Sequence, residues 1–342
     1  MTLPVSATIQ LEMPNQNFLF EHIKANAKYG TDVIRLAEAK GKRVIICGSG
    51  PSLAHEHETL KQTLAHQIWA ANSALPYLVK HKLPVTHGIT VDMSVEMVDD
   101  PAEWLETFPV TYLCSSGVHP RLIPHLKAHN RRVRMFHSYL GIKNPEGWVA
   151  PDTWKPPQEV RAGVQVDLFR TYEMYLYQHI YPGTVQVGYG LNTVPRAICL
   201  ALWMEFKEIV VFGADCACAP DAELMPTAND PNYPAWLESL KLYADGRSPA
   251  KYGPNAVMSQ GIIEGRVWHT RPDMLISAGH IVDLVHRYLN IRLVGDTLPN
   301  AMLTLPDGTR EDFFQKLPKL NGSGGVEGFG LNIDKPQEAA SC

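Results

Sequence analysis

The sequence predicts an α/β chain: a mostly parallel sheet with helices on both faces and an inserted lid. Short apolar runs at 44–48, 67–71, 85–91, 110–114, 132–136, 184–187, 207–212 and 291–294 alternate with stretches of helical period. That is the pattern of strands buried on both faces and joined by crossover helices. The first run ends in Gly48-Ser49-Gly50-Pro51-Ser52, a sharp turn with a proline suited to the first turn of a helix. The predicted strand ends carry Gly48, Asn72, Asp92, Ser115 and Asp215, a row of small polar groups at the edge where such sheets bind ligands.

The elements follow in order. Residues 1–17 have no regular period, and 18–39 predict one or two helices broken near Gly30, so 1–42 form an arm with helices. Lys40-Gly41-Lys42 closes that segment, with glycine past the helix end and lysines matched to its dipole. A helix at 54–65 leads to the strand 67–71, and a helix at 74–81 leads to the third strand. Residues 141–164 are rich in Pro, Trp and Gly, and a helix at 166–177 comes after them. The helix opened by Asn192-Thr193 carries one buried stripe, Val194, Ala197, Ile198, Ala201 and Leu202, and either opening residue can cap it. Residues 216–262 form an irregular stretch read as a lid, and 276–289 predict the last long helix. The catalytic domain is expected over 43–318 and a flexible tail over 319–342.

Composition narrows the function classes. The chain has 342 residues, 45% hydrophobic and 19% charged, with a formal net charge of −4. No general nucleic-acid binding is expected at that charge. No apolar run is long enough for a membrane span, and without a secretory pattern at the N-terminus the expected location is cytoplasmic. Six cysteines are too sparse for a disulfide scaffold.

The candidate residues each carry a bland reading beside the functional one. A strand, a glycine turn and a helix start favour phosphate, because unpaired amides and the helix dipole both attract an anion. The turn is therefore read as a nucleotide-phosphate loop built from Gly48, Ser49, Gly50, Pro51 and Ser52, or as a glycine turn with no ligand. The dinucleotide fingerprint fails, since Leu53 stands where its third glycine belongs, and no Gly-Lys-Ser/Thr follows for a Walker loop. Asp92 is a natural Mg²⁺ ligand beside nucleotide phosphates. Asp215 is either a ligand or a loop-fixing carboxylate. His269, between Trp268 and Thr270 and close to Arg271 and Asp273, is a general base or a packed histidine. Asn300 reaches the site or fixes a turn. Cys216 and Cys218 lack partners at zinc-finger spacing.

Taken together, 44–53, Ala70-Ala71-Asn72-Ser73-Ala74, Thr90-Val91-Asp92, Gly190-Leu191-Asn192-Thr193-Val194, and Lys207-Glu208-Ile209 through Gly213-Ala214-Asp215 resemble a known superfamily. It is the one named for the archaeal 6-hydroxymethylpterin diphosphokinase MptE, which also holds the motility accessory factors. A related pattern occurs in bacterial lipooligosaccharide sialyltransferases. The resemblance covers roughly 43–95 and 185–300, with motif order intact, and implies a Rossmann-like fold. The sialyltransferase likeness implies a CMP-sugar donor, no required metal cofactor, and His269 as general base. It also implies Ser49 and Gly50 at the phosphate, Asn72 at the nucleotide or sugar, and Thr193 at a donor carboxylate or phosphate. Asp92 departs from that pattern, which has asparagine there, and Tyr233, Tyr243 and Tyr252 do not align with its lid tyrosines. The MptE likeness instead implies ATP, with Mg²⁺ on Asp92 and Asp215.

Three readings stand. The first is a nucleotide-dependent glycosyltransferase with a nucleotide-sugar donor and an unidentified hydroxyl acceptor. The second is an ATP- and Mg²⁺-dependent diphosphokinase, and the third a non-catalytic nucleotide-binding scaffold. A homo-oligomer is compatible with each.

Overall fold

The computed structural model describes residues 17–29, 32–93, 108–139, 144–154, 171–182, 186–188, 192–217, 259–263, 266–270 and 272–305. Residues 1–16, the tail and most of the expected lid lie outside them. Eight strands form one sheet: β1 (Arg43–Cys47), β2 (Gln67–Ala71), β3 (His87–Thr90), β4 (Thr111–Ser115), β5 (Val133–Ser138), β6 (Gln186–Val187), β7 (Glu208–Phe212) and β10 (Ile291–Leu293), in the order β10-β7-β1-β2-β3-β4-β5-β6. Every pairing in it is parallel, so the expected Rossmann-like architecture is present. A separate antiparallel hairpin joins β8 (Ser259–Ile263) to β9 (Arg266–Thr270).

The helices are α1 (Asn17–Asn26), α2 (Ser52–His55), α3 (His57–Gln62), α4 (Ala74–Lys80), α5 (Leu122–Ala128), α6 (Tyr172–Ile180), α7 (Thr193–Trp203), α8 (Pro272–Arg287) and α9 (Leu298–Leu303). Side chains alternate across each strand, and the core divides accordingly. Val44, Ile46, Trp69 and Ala71 point to the face covered by α7 and α8, whereas Ile45, Cys47, Ile68 and Ala70 join the cluster under α4 and α5. α7 is buried through nine consecutive residues, Thr193 to Ala201, because it packs across β1, β2 and β3 at the centre of the sheet.

Several elements differ from the sequence reading. The helix expected at 54–65 is interrupted at Glu56, giving the short α2 and α3. Of the one or two helices expected over 18–39, the described residues 32–39 form none; instead Val33 bridges Met135 of β5 in parallel. Asp32 and Glu38 clasp Arg134 of β5, with Glu38 accepting at 2.5 and 2.8 Å, so tertiary ion pairs outweigh the local helical period. Residues 259–263, within and just past the expected lid, pair as β8.

Candidate functional site

The sheet order reverses at β1: β2 to β6 lie on one side of it, β7 and β10 on the other. Ligands of open parallel sheets bind beyond the strands' carboxyl ends at such a switch. Here the backbones of β1 and β7 continue past the switch in close contact. The Gly48 amide donates to Phe212 O at 2.8 Å and the Gly50 amide to Gly213 O at 2.9 Å. A Cβ on Gly48 would lie 2.4 Å from Gly213 O and 3.1 Å from Val194 of α7.

Asp215 enters the glycine loop itself. Its Oδ2 accepts from the Ser52 amide at 3.1 Å and from the Ser52 hydroxyl at 3.0 Å. A Cβ on Gly50 would meet that oxygen at 1.7 Å. The loop amides were expected to face outward for a phosphate; those of Gly48, Gly50 and Ser52 instead bond inward, because β7 and its aspartate sit directly against them. Pro51 starts α2 as expected, with φ −55°. Ser49, at the apex, and Pro51 are the exposed residues of the loop.

Burial raises the Asp215 pKa above the usual carboxylate range, with the Ser52 hydrogen bonds opposing and the charge of Asp296 adding to the rise. A raised folded-state pKa means the fold prefers the protonated acid. Its stability contribution is therefore full below the unfolded pKa and is lost as pH rises through the folded one. Asp215→Asn should remove a decline in urea midpoint that begins near pH ~4 in the parent. Superimposable profiles of parent and variant between pH 4 and 7 would show that Asp215 does not carry this decline.

The other strand ends divide into an open half and a closed half. In the open half, Asn72 follows β2 with φ 44°, an uncommon conformation that asparagine tolerates. Its Oδ1 is buried and accepts no hydrogen bond among the described residues. Asp92, half-buried beyond β3, uses its amide to bond Thr90 Oγ1 at 3.2 Å. Asn192 caps α7 through its Oδ1, which accepts from the Val194 amide at 3.1 Å. Thr193 is the first helical residue and is 6% exposed. In the closed half, Ser115, the remaining candidate at a strand end, is 1% exposed. α1 covers this end: Asn26 donates to Ser116 O at 3.0 Å and Val118 O at 2.8 Å.

Asn300 fixes a turn: its side-chain amide donates to Gly295 O at 2.7 Å, while its backbone amide bonds Thr297 Oγ1, the cap of α9. Asp296, exposed in the same turn, was not singled out from the sequence, since nothing local distinguishes it. His269 lies on β9, paired with Gln260. The next residue, Thr270, donates to Cys216 O at 2.5 Å, so the hairpin is pinned to the loop that carries Asp215.

A single Mg²⁺ shared by Asp92 and Asp215 does not fit. They follow β3 and β7, three strand spacings apart, or about 14 Å at ~4.8 Å per spacing, whereas Mg²⁺ holds its ligands at about 2.1 Å. One Asp215 oxygen is also committed to Ser52. Among the described residues no group of three or more His, Cys, Asp or Glu is placed to hold a metal. No helix among them is long and apolar enough to cross a membrane.

Residues 17–221, more than half of the chain, match the family described as 6-hydroxymethylpterin diphosphokinase MptE-like. The chain belongs to the MptE-like family. The match spans α1 through β7 and includes the glycine loop, Asn72, Asp92, Asn192 and Asp215. No curated protein sequence matches this MptE-like chain. Among solved structures, it is similar to a MAf glycosyltransferase from Magnetospirillum magneticum AMB-1, with 15% identity and a TM-score of 0.52. The similarity covers 87% of this chain but 41% of that one, so the MptE-like chain spans less than half the neighbour's length, and what they share is a fold.

Proposed function

We propose that this MptE-like chain is a nucleotide-dependent transferase, and more specifically a glycosyltransferase with a CMP-type sugar donor. The observation that carries the reading is Asn72 Oδ1, a buried acceptor without a partner among the described residues, at the open edge beside the sheet's switch point. A buried acceptor of that kind is costly unless a donor reaches it, and a nucleoside offers hydroxyl and amine donors. Ser49 meets the donor phosphate, Asn72 the nucleoside or sugar, and the α7 first turn, capped by Asn192, borders the same edge. The structural neighbour is named a glycosyltransferase and the family is named for a diphosphokinase, and both names describe group transfer.

In this reading His269 takes the proton of an acceptor hydroxyl as that oxygen bonds to the anomeric carbon. The nucleotide leaves with the electron pair of the broken glycosidic bond. Positioning of base and acceptor supplies most of the acceleration. Asp92, half-buried at the same edge, keeps a second reading in view, a diphosphokinase. The shared-metal arrangement with Asp215 does not suit it.

Thermal melting with CMP, CTP, ATP and GTP, each with Mg²⁺ and with EDTA, tests the proposal. A ligand at about 100 times its Kd adds about 2.7 kcal/mol, a readily seen rise in midpoint. Stabilisation by CMP or CTP that survives EDTA is the expected result. A response to ATP alone, and only with Mg²⁺, would favour the kinase. Asp92→Asn should leave sugar transfer within several-fold of the parent, and abolition of transfer would argue against a metal-free mechanism. Binding without any product would point to a scaffold.

A further inference from the structure

Three rings meet on the helical layer, and the proposed chemistry uses none of them. α3 and α4 pack on the same face of the sheet, where Leu60, Leu75 and Leu78 share one buried cluster. Above that cluster His57, the first residue of α3, meets Tyr77 of α4 and His81, the residue that caps α4. The Tyr77 hydroxyl lies 2.6 Å from His57 Nε2. The His57 and His81 ring centroids are 5.2 Å apart with their planes at 52°. Tyr77 touches both rings, with centroids at 5.4 Å and 4.4 Å. His57 and Tyr77 are half-buried and His81 is exposed, so the group is open to solvent. α4 starts at Ala74 beside the donor edge and runs away from it, which carries His81 about 10 Å along the helix.

The spacing has a chemical meaning. Two imidazoles on one tetrahedral ion, each through a nitrogen about 2.1 Å from it, have ring centroids about 5 Å apart. His57 and His81 already stand at that separation, so small ring rotations would complete the geometry. Imidazole nitrogen suits Zn²⁺ and Cu²⁺, whereas Mg²⁺ and Ca²⁺ take oxygen. No third His, Cys, Asp or Glu is grouped with the pair among the described residues, so water would fill the remaining positions of an open site. Lys61, one turn past His57, would oppose a cation, but its ammonium is bonded to Glu58 at 2.6 Å, and that pairing offsets its charge.

The position also gives such an ion a consequence. The chain leaves the glycine loop through α2, breaks at Glu56 with φ −100° and ψ 15°, and resumes as α3 at His57. Helices of four and six residues gain little from their own hydrogen bonds. A cross-link at the first residue of α3 fixes the chain just past the break.

We propose that His57 and His81 form a two-imidazole site for a divalent cation of the Zn²⁺ or Cu²⁺ type, which fastens α3 to α4. Tyr77 holds the His57 ring and yields its hydrogen bond when the ion binds; it is a positioning residue and not a ligand. The site does not depend on the transferase reading.

The test uses the full chain, stripped of metal with EDTA and dialysed, without nucleotide. Zn²⁺ should raise the melting midpoint of the parent, and His57→Ala and His81→Ala should each lose that rise. His55→Ala, exposed two residues away, is the control and should keep it. No rise in the parent, or the same rise in the parent and both ligand variants, overturns the site. Cu²⁺ supplies the second readout. At one equivalent, the EPR spectrum of the parent should show splitting from two imidazole nitrogens. Each histidine variant should bind Cu²⁺ at least about tenfold more weakly, since losing a ligand costs no less than losing a residue that orients one. Unchanged Cu²⁺ affinity in either variant overturns the assignment. Tyr77→Phe keeps both imidazoles and removes the competing hydrogen bond, so it should bind Cu²⁺ at least as tightly as the parent. A loss as large as in the histidine variants would make the phenol oxygen a ligand and overturn the two-imidazole site.

Discussion

Replacing Gly213 with alanine should destabilise the protein by on the order of 3 kcal/mol, read as a lower urea midpoint and a melting point reduced by several degrees. Two costs add at this residue. Its φ of +62° is one that a side chain disfavours, and a Cβ would lie 2.3 Å from Gly48 O and 3.0 Å from Leu53 Cβ. The first obstacle is backbone of the central strand's own continuation, so no rotamer change relieves it. Gly41→Ala is the matched control. Gly41 has φ +79° with nothing within 4 Å of the added Cβ, so it isolates the backbone term of about 1 kcal/mol. Equal losses in the two variants would show that the close approach of β1 and β7 is not what makes Gly213 costly to change.

His269→Ala should lower transfer by about 10²–10⁴-fold, the usual worth of a positioned general base, and leave nucleotide binding intact. The expectation rests on the proposed sugar transfer and on the placement of β9, whose end is tied by Thr270 to Cys216 beside Asp215. Transfer rate and the nucleotide-induced melting shift are measured on the same variant. Retained transfer removes His269 as the base. Loss of both transfer and nucleotide binding would instead assign it to holding the hairpin in place.

Where the sequence was read correctly, the signal was local. Val44 to Cys47 and Ile68 to Ala71 are apolar because each strand is covered on both faces, and burial of that kind leaves an uninterrupted hydrophobic run. The α7 stripe, the capping role of Asn192 and the proline that starts α2 are likewise set within a few residues. The motif order from the glycine loop to Asp215 was enough to suggest the family to which residues 17–221 belong.

What the local signal could not show depends on partners distant in the chain. Ser115, a candidate ligand contact at a strand end, is buried there, and Asn26 of α1 donates to the carbonyl of the next residue, Ser116, 90 positions away. The segment around Val33 has a helical period, yet it joins the sheet because Asp32 and Glu38 find Arg134 about a hundred residues away.

The sequence by itself determined the layered α/β fold, the line of polar strand ends and the family, because burial and turn chemistry write themselves into neighbouring residues. Tertiary structure alone decided how the polar groups are spent. Asp215 lies 163 positions from Ser52, yet it fills the loop that looked built for phosphate. His137 lies 21 positions from Ser116 and meets it through adjacent strands. Hydrogen bonds and charges act at about 3 Å in space, and no spacing along the chain encodes that distance.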